Sequence, residues 1–166
     1  MSNLDWKTLS SEYLYRDNWF TARKDRCEMP SGKIVDPYYV LEYPDWVNAV
    51  AFTGSGEILM VRQYRHAYGQ SILEIPGGTM DDTDLSPEAA MRRELLEETG
   101  YQGSSARLLL SGPTAAGLTS EFSNIVLVEG LKKVHAGGGV DGEDITVHVV
   151  PLDGVHEWLT AKRGEG

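Results

Sequence analysis

The chain has 166 residues, 41% hydrophobic and 24% charged, which suits one ordinary globular core and excludes the disordered, collagen-like and coiled-coil classes. A formal net charge of −10 excludes a surface that wraps nucleic acid, because that mode needs clustered Lys and Arg to displace counterions. The lone cysteine, Cys27, cannot close an intramolecular disulfide, no apolar run approaches the roughly 18 to 20 residues that span a bilayer, and the opening residues carry no secretory pattern, so a cytoplasmic protein without membrane contact is expected.

The first predicted elements are two strands over residues 19–29 and 34–43, joined by a turn, Pro30-Ser31-Gly32-Lys33, with Pro and Gly in suitable places. They make an N-terminal β-hairpin. Past Pro44 and Asp45, strand-like runs at 46–53 and 57–65 flank Gly54-Ser55-Gly56, and a shorter run follows at 71–75. The Gly54-Ser55-Gly56 stretch is a turn and not a nucleotide-binding fingerprint. Pro76-Gly77-Gly78 breaks this meander, and a polar loop, 79–85, leads to Ser86 and Pro87, an N-cap residue followed by proline at the first helical position. A helix is predicted from there to Thr99, with Gly100 suited to the left-handed residue just past its end. Strands return at 106–110, 124–129 and 144–150, and the last alternates Ile145, Val147 and Val149 against Thr146 and His148. Gly137-Gly138-Gly139 lies between the latter two, and residues 154–162, with Val155, Trp158 and Leu159, read as a closing amphipathic helix. Mostly antiparallel strands with two helices give an α+β fold class, divided into a β-rich extension over 1–45 and a catalytic domain over 46–166.

The chemistry lies on the predicted helix. Glu94, Glu97 and Glu98 are three and four positions apart, so their carboxylates leave one face. Like charges at that spacing cost about 0.2–0.5 kcal/mol per pair unless a cation occupies the patch. A hard divalent ion with oxygen ligands is the natural occupant, and Mg²⁺ bound this way also shares substrate phosphate oxygens. Most charge runs are only solvated faces. Here Leu95 and Leu96 bury the other side of the helix, and the Gly-Gly turn feeds it through a tight loop, so that backbone carbonyls at the strand end can join the coordination. The histidines His66, His135, His148 and His156 have no zinc spacing, and no nucleophile elbow supports Ser-His-Asp chemistry.

RELLEETGY, residues 93–101, resembles the second half of the signature of the Nudix hydrolase family: G, five residues, E, seven residues, REUxEExGU, with U a bulky aliphatic residue. The first half departs from it. Leu85 stands where the family has Glu and Gly78 sits one residue too far upstream, as a one-residue insertion in the loop would produce; Asp84 is the substitute for the missing brace, and Tyr101 replaces an aliphatic residue. The resemblance implies a Nudix-type α/β/α sandwich with a mixed sheet. It also implies Mg²⁺, or Mn²⁺ in its place, held by Glu94, Glu97 and Glu98 with the Gly77 carbonyl, and Arg93 orienting the glutamates.

Three further segments, VLEYPDWVN (40–48), VRQYR (61–65) and LEIPGG (73–78), are similar to the branch of that family that cleaves ADP-ribose and nucleoside-diphosphate sugars. Gln63 and Arg65 fall on one face of their strand and Arg62 on the other. Arg65 is the leading diphosphate contact, since a planar guanidinium grips two phosphate oxygens, and Arg62 and Trp46 are further substrate-binding candidates. By the same resemblance the catalytic base comes from the loop GGGVDGEDI, 137–145, as Glu143 or Asp141, with Glu121 third and Glu143 a further metal ligand. The hairpin is similar to the segment through which branch members form homodimers, and its aromatics, Trp19, Phe20, Tyr38 and Tyr39, are available to a base. The expected activity is metal-dependent hydrolysis of an ADP-ribose or GDP-mannose type substrate to nucleoside monophosphate and sugar phosphate. A nucleoside-triphosphate or dinucleotide pyrophosphatase and a non-catalytic nucleotide sensor are the alternatives.

Overall fold

The computed structural model describes residues 4–140 and 142–162. In chain order the strands are β1 (Lys7–Arg16), β2 (Thr21–Glu28), β3 (Ile34–Glu42), β4 (Trp46–Ala51), β5 (Glu57–Arg65), β6 (Gln70–Glu74) and β7 (Gly77–Thr79). Helix α1 (Pro87–Thr99) follows, then β8 (Tyr101–Gln102), β9 (Ser105–Pro113), β10 (Phe122–Glu129), β11 (Lys132–Lys133), β12 (Thr146–Pro151) and, after a short 3₁₀ turn, helix α2 (Val155–Lys162). The fold class is α+β, with mixed strand pairing: β1–β2, β2–β3, β4–β7, β5–β6, β5–β12 and β8–β11 are antiparallel, and Leu41 meets Thr119 in a parallel bridge. Among the described residues no helix is long and apolar enough to cross a membrane.

Two compact units are present: Met1–Asp45 with Gly112–Ser123, and Trp46–Ser111 with Asn124–Gly166. In the first, β1, β2 and β3 form one sheet with β2 in the centre. Strand β2 buries Thr21, Asp25 and Cys27, and the buried Asp25 carboxylate receives the Arg23 Nε–H at 3.1 Å, while Arg23 also pairs with Glu42. Residues 112–123 are tied to β3 by the Leu41 N–H donating to the Leu118 carbonyl and the Tyr38 hydroxyl donating to that of Gly117. Strand β1 is the finding here that the sequence pattern does not predict: each of its residues is exposed, so no period-two burial marks it, and its ladder to β2 holds it in place.

The second unit holds the longer helix on a sheet ordered β7-β4-β10-β9, with a separate sheet ordered β12-β5-β6. Strand β4 turns Val47, Ala49 and Ala51 inward and β10 turns Val126 and Val128 inward, and both meet Ala90, Met91 and Leu95 of α1 in one cluster. Two alanines on β4 keep that surface low, which lets the helix approach. Helix α1 starts and stops as its sequence dictates: the Ser86 hydroxyl accepts the Ala89 N–H, Pro87 opens the first turn, and Gly100 closes the helix at φ 71°. Glu88 ties the first turn to β9 by accepting the Leu108 N–H at 3.1 Å. Helix α2 packs on β12, with Trp158 tilted against His148 at 5.2 Å between ring centroids.

Candidate functional site

Strand β7 brings its two glycines under the acidic face of α1. The ladder to β4 sets Gly78 opposite Val47 and Gly77 opposite Asn48. From there the Gly77 N–H donates to Glu98 Oε2 at 2.9 Å, a link across 21 residues of sequence. A methyl group on Gly78 would stand 2.6 Å from Glu94 Oε1 and nearer still to the rest of that carboxylate. Bare backbone at 78 is therefore what admits the Glu94 carboxylate to the sheet edge, while bare backbone at 77 is what admits the Val47 carbonyl and Asn48 of β4.

The three glutamates are not equivalent. Glu98 is buried, 2% exposed, whereas Glu94 and Glu97 are partly exposed. Burial pushes the Glu98 carboxyl up to about 8, with Glu94 and Glu143 adding to the rise and the Gly77 N–H and Arg65 opposing it. Burial also raises Glu94, against the pull of Arg93, and Glu97 and Glu143 add to that rise. Sequence spacing puts the three carboxylates on one face; the structure has one of them, Glu98, inside the protein.

Arg93 is the hub of the loop. It donates to Asp84 Oδ2 at 2.8 Å, to the Thr79 carbonyl at 3.0 Å and to Glu94 Oε1 at 2.7 Å, with a longer approach to Glu97 Oε2 at 3.4 Å. Asp84 holds Arg93 above its ordinary pKa, and in return the Arg93 guanidinium holds the Asp84 carboxyl below the usual carboxylate range. Asp84 also accepts the Asp81 N–H at 2.8 Å, which closes the loop on itself. Leu85 is 97% exposed, so Asp84 makes the loop contacts while its neighbour faces solvent.

Arg65, at the end of β5, is held by Glu74 of β6 through three contacts: Nε to Oε1 at 2.9 Å, Nε to Oε2 at 3.2 Å and Nη2 to Oε2 at 2.6 Å. Its guanidinium carbon lies 5.6 Å from the centroid of the Trp46 ring. Glu74 raises the Arg65 pKa, with smaller contributions from Glu98 and Glu143. The structure thus gathers Trp46, Arg65, Glu74, Glu98 and Glu143 into one electrostatic neighbourhood. Gln63 is buried and Arg62 half-buried on the other face of β5. Glu74 is a site residue that sequence reasoning passed over; its signal was a carboxylate on the strand antiparallel to the one carrying Arg65.

Glu143 lies on a turn in which its N–H donates to the Val140 carbonyl at 3.0 Å and its Oε2 accepts the Val140 N–H at 3.3 Å. Asp141 lies outside the described residues. Glu121 belongs to the unit that contains β1 to β3, where Thr114 donates to its backbone carbonyl and to its carboxylate. The glycine-rich stretch before Glu143 packs directly on the end of α1: Gly138 donates to the Glu98 carbonyl at 2.8 Å and Gly139 to that of Glu97 at 3.2 Å.

Among the described residues no group of three or more His, Cys, Asp or Glu side chains is disposed to hold a metal ion as it stands. Glu94 and Glu97 turn to Arg93, and Glu98 turns to the Gly77 N–H. The donor set nevertheless fits a hard divalent cation. It offers only oxygen, it concentrates carboxylates on one helix face, and two of them sit where burial and mutual repulsion raise their pKa, a cost that a bound cation removes.

Residues 6–41 match the family model of the nucleoside diphosphate sugar hydrolase N-terminal domain, and residues 42–163 match that of the NUDIX domain. The chain is 39% identical over 134 residues to an ADP-ribose pyrophosphatase of Mycobacterium tuberculosis, a match covering 81% of this chain and 64% of that protein. It is 30% identical to an ADP-ribose pyrophosphatase of Bacillus subtilis over 92% of this chain and 80% of that one. A crystal structure of an ADP compounds hydrolase superposes with a TM-score of 0.81 at 22% identity, covering 96% of this chain and 86% of the other, a likeness of fold.

Proposed function

The chain belongs to the Nudix family, and on that premise we propose that it hydrolyses the diphosphate linkage of a nucleoside-diphosphate sugar of the ADP-ribose or GDP-mannose type, releasing nucleoside monophosphate and sugar phosphate. The observation that carries this reading is the joining of the Glu94, Glu97 and Glu98 face to the Arg65–Glu74 pair and to Glu143 through their mutual electrostatics. Members of the family depend on a divalent metal. Here Mg²⁺, or Mn²⁺ in its place, would be held by Glu94, Glu97 and Glu98 with the Gly77 carbonyl and Glu143, and would supply Lewis-acid polarisation of the diphosphate.

The chain's own groups divide the remaining work. Arg65, steadied by Glu74 and flanked by Trp46, binds the diphosphate with the part of its guanidinium not engaged by Glu74. Arg93 orients Glu94 and, more loosely, Glu97, and holds the loop through Asp84. As a water oxygen bonds to phosphorus and the bridging P–O bond breaks, Glu143 takes the proton from that water. Asp141 and Glu121 are the alternative bases.

Purified protein with Mg²⁺ should turn over ADP-ribose or GDP-mannose in preference to nucleoside triphosphates and dinucleotides. Preference for triphosphates would overturn the substrate class. Tight binding of ADP-ribose without release of AMP would replace catalysis by sensing.

We also assign the N-terminal unit to homodimer formation and base contact. Strand β1 supports this: it lies at the margin of its sheet with Leu9, Tyr13, Leu14 and Tyr15 exposed. Light scattering at micromolar concentration should give twice the chain mass, and a monomer would refute it. A cytoplasmic location accords with a single buried cysteine and is tested by cell fractionation.

A further inference from the structure

Helix α1 carries its three glutamates towards the C-terminal end, where the helix dipole is negative, and its last turn contains no basic residue. A helix also leaves its final four carbonyls without partners inside the helix. One stretch of chain answers both needs. Val134 and His135 donate their N–H groups to the Gly100 carbonyl at 2.8 and 3.3 Å, Gly138 donates to that of Glu98 at 2.8 Å and Gly139 to that of Glu97 at 3.2 Å. Lys133 completes the set by donating Nζ–H to the Thr99 carbonyl at 3.3 Å. Carbonyls 97 to 100 are thus capped in succession by residues 133–139.

Lys133 differs from the other members because its side chain ties both partners. Its ammonium also donates to the Ala136 carbonyl at 3.2 Å, within the capping stretch, and stands 4.8 Å from the centroid of the Tyr101 ring just past the helix. The path onward to Glu143 is close-packed. A methyl on Gly139, whose φ is 89°, would meet Glu143 Cβ at 2.6 Å and Oε2 at 2.9 Å, and the Ile145 N–H returns to the Gly138 carbonyl at 3.1 Å. A shift of the capping stretch on the helix end therefore carries Glu143 with it.

We propose that Lys133 is a positioning residue for the reaction: by clamping residues 133–139 onto the end of α1 it fixes where the Glu143 carboxylate stands relative to Glu94 and Glu98. The inference rests on the reading of Glu143 as the base. Lys133 is exposed, so its variants should fold, which circular dichroism and Tm verify.

The test is a kinetic cycle with ADP-ribose and saturating Mg²⁺ on wild type, Lys133→Met, Lys133→Arg, Glu143→Gln and the Lys133→Met/Glu143→Gln double variant. A misplacement of 1 Å costs on the order of 10²-fold, so a fraction of that shift should lower kcat of Lys133→Met about 10-fold with KM little changed. Lys133→Arg should restore most of the loss, and Lys133→Met should add little once Glu143 is already Gln. Wild-type kcat in Lys133→Met, or the same loss in both backgrounds, would overturn the role of Lys133 while leaving that of Glu143 intact. Wild-type turnover in Glu143→Gln would overturn the base and this inference together.

Discussion

Adjacent glycines on β7 should answer the same substitution in opposite ways. At Gly78 the φ is not left-handed, so alanine fits the backbone, and the group that a methyl would strike is the carboxylate of Glu94, 2.6 Å away at Oε1 and closer at Cδ and Oε2. Ordinary contact begins near 3.4 Å, so the carboxylate has to retreat by about 1 Å, and a displacement of that size at a catalytic group costs roughly 10²-fold. The obstacle is the free end of a side chain, so stability should change by no more than about 1 kcal/mol, or roughly 2–4 °C in Tm for a chain of this length. At Gly77 the methyl would lie within 3 Å of the Val47 carbonyl, and backbone cannot step aside as a side chain can. Overpacking of that kind costs about 1–3 kcal/mol, equivalent to a Tm fall of roughly 2–12 °C. The assay is kcat from AMP release on ADP-ribose beside thermal unfolding for Gly78→Ala and Gly77→Ala. Wild-type turnover in Gly78→Ala, or unfolding of Gly78→Ala as early as Gly77→Ala, would refute the packing of Glu94 against β7.

Asp84→Ala removes the main partner of Arg93 and should lower Tm by the equivalent of about 1–3 kcal/mol and reduce kcat, whereas Leu85→Ala should alter neither; equal effects in kinetics and unfolding would reassign the brace. Glu98→Gln keeps an acceptor for the Gly77 N–H and removes a buried carboxyl whose ionised form burial, Glu94 and Glu143 oppose, so turnover should vanish while the Tm of metal-free protein holds or rises; turnover retained with a lowered Tm would contradict the assignment. Ser86→Ala deletes the N-cap of α1 and should cost about 0.5–2 kcal/mol by denaturant unfolding, with kcat at saturating Mg²⁺ preserved.

Helix α1 was legible to the residue because local chemistry encodes it: Ser86, Pro87 and Gly100 act within one turn of where they stand. Strand β5 was equally legible, since the Gly54-Ser55-Gly56 turn marks its start and an apolar run, Ile58 to Val61, follows directly. Strand β1 was not, since its side chains are all exposed and the information that orders it lies in the backbone pairing to β2. Strand β7 was hidden because Gly77 and Gly78 read as a breaker, yet the missing side chain at 77 is what lets β4 pair closely and the one at 78 is what admits Glu94 of α1. The acidic site shows the same division. Spacing puts Glu94, Glu97 and Glu98 on one face, but the burial of Glu98 depends on a contact across 21 residues, the Arg65–Glu74 pair on a hairpin register, and the docking of 133–139 on carbonyls that no sequence pattern displays.

Arg93 anchors the preceding loop at the Thr79 carbonyl and Asp84, with a longer ion pair to Asp81 at 3.5 Å, and the Asp81 N–H closes onto Asp84. Asp82 and Thr83 between them are exposed. Loop length is then a free variable as long as the anchors keep their partners, and an added residue bulges outward without disturbing Glu94. A pattern that measures a fixed ruler from glycine to arginine passes over such a chain, whereas one that asks for an acid able to fold back on the arginine finds it. The same tolerance makes the Asp82–Thr83 bond the place to splice in a short reporter peptide while α1 stays where it is.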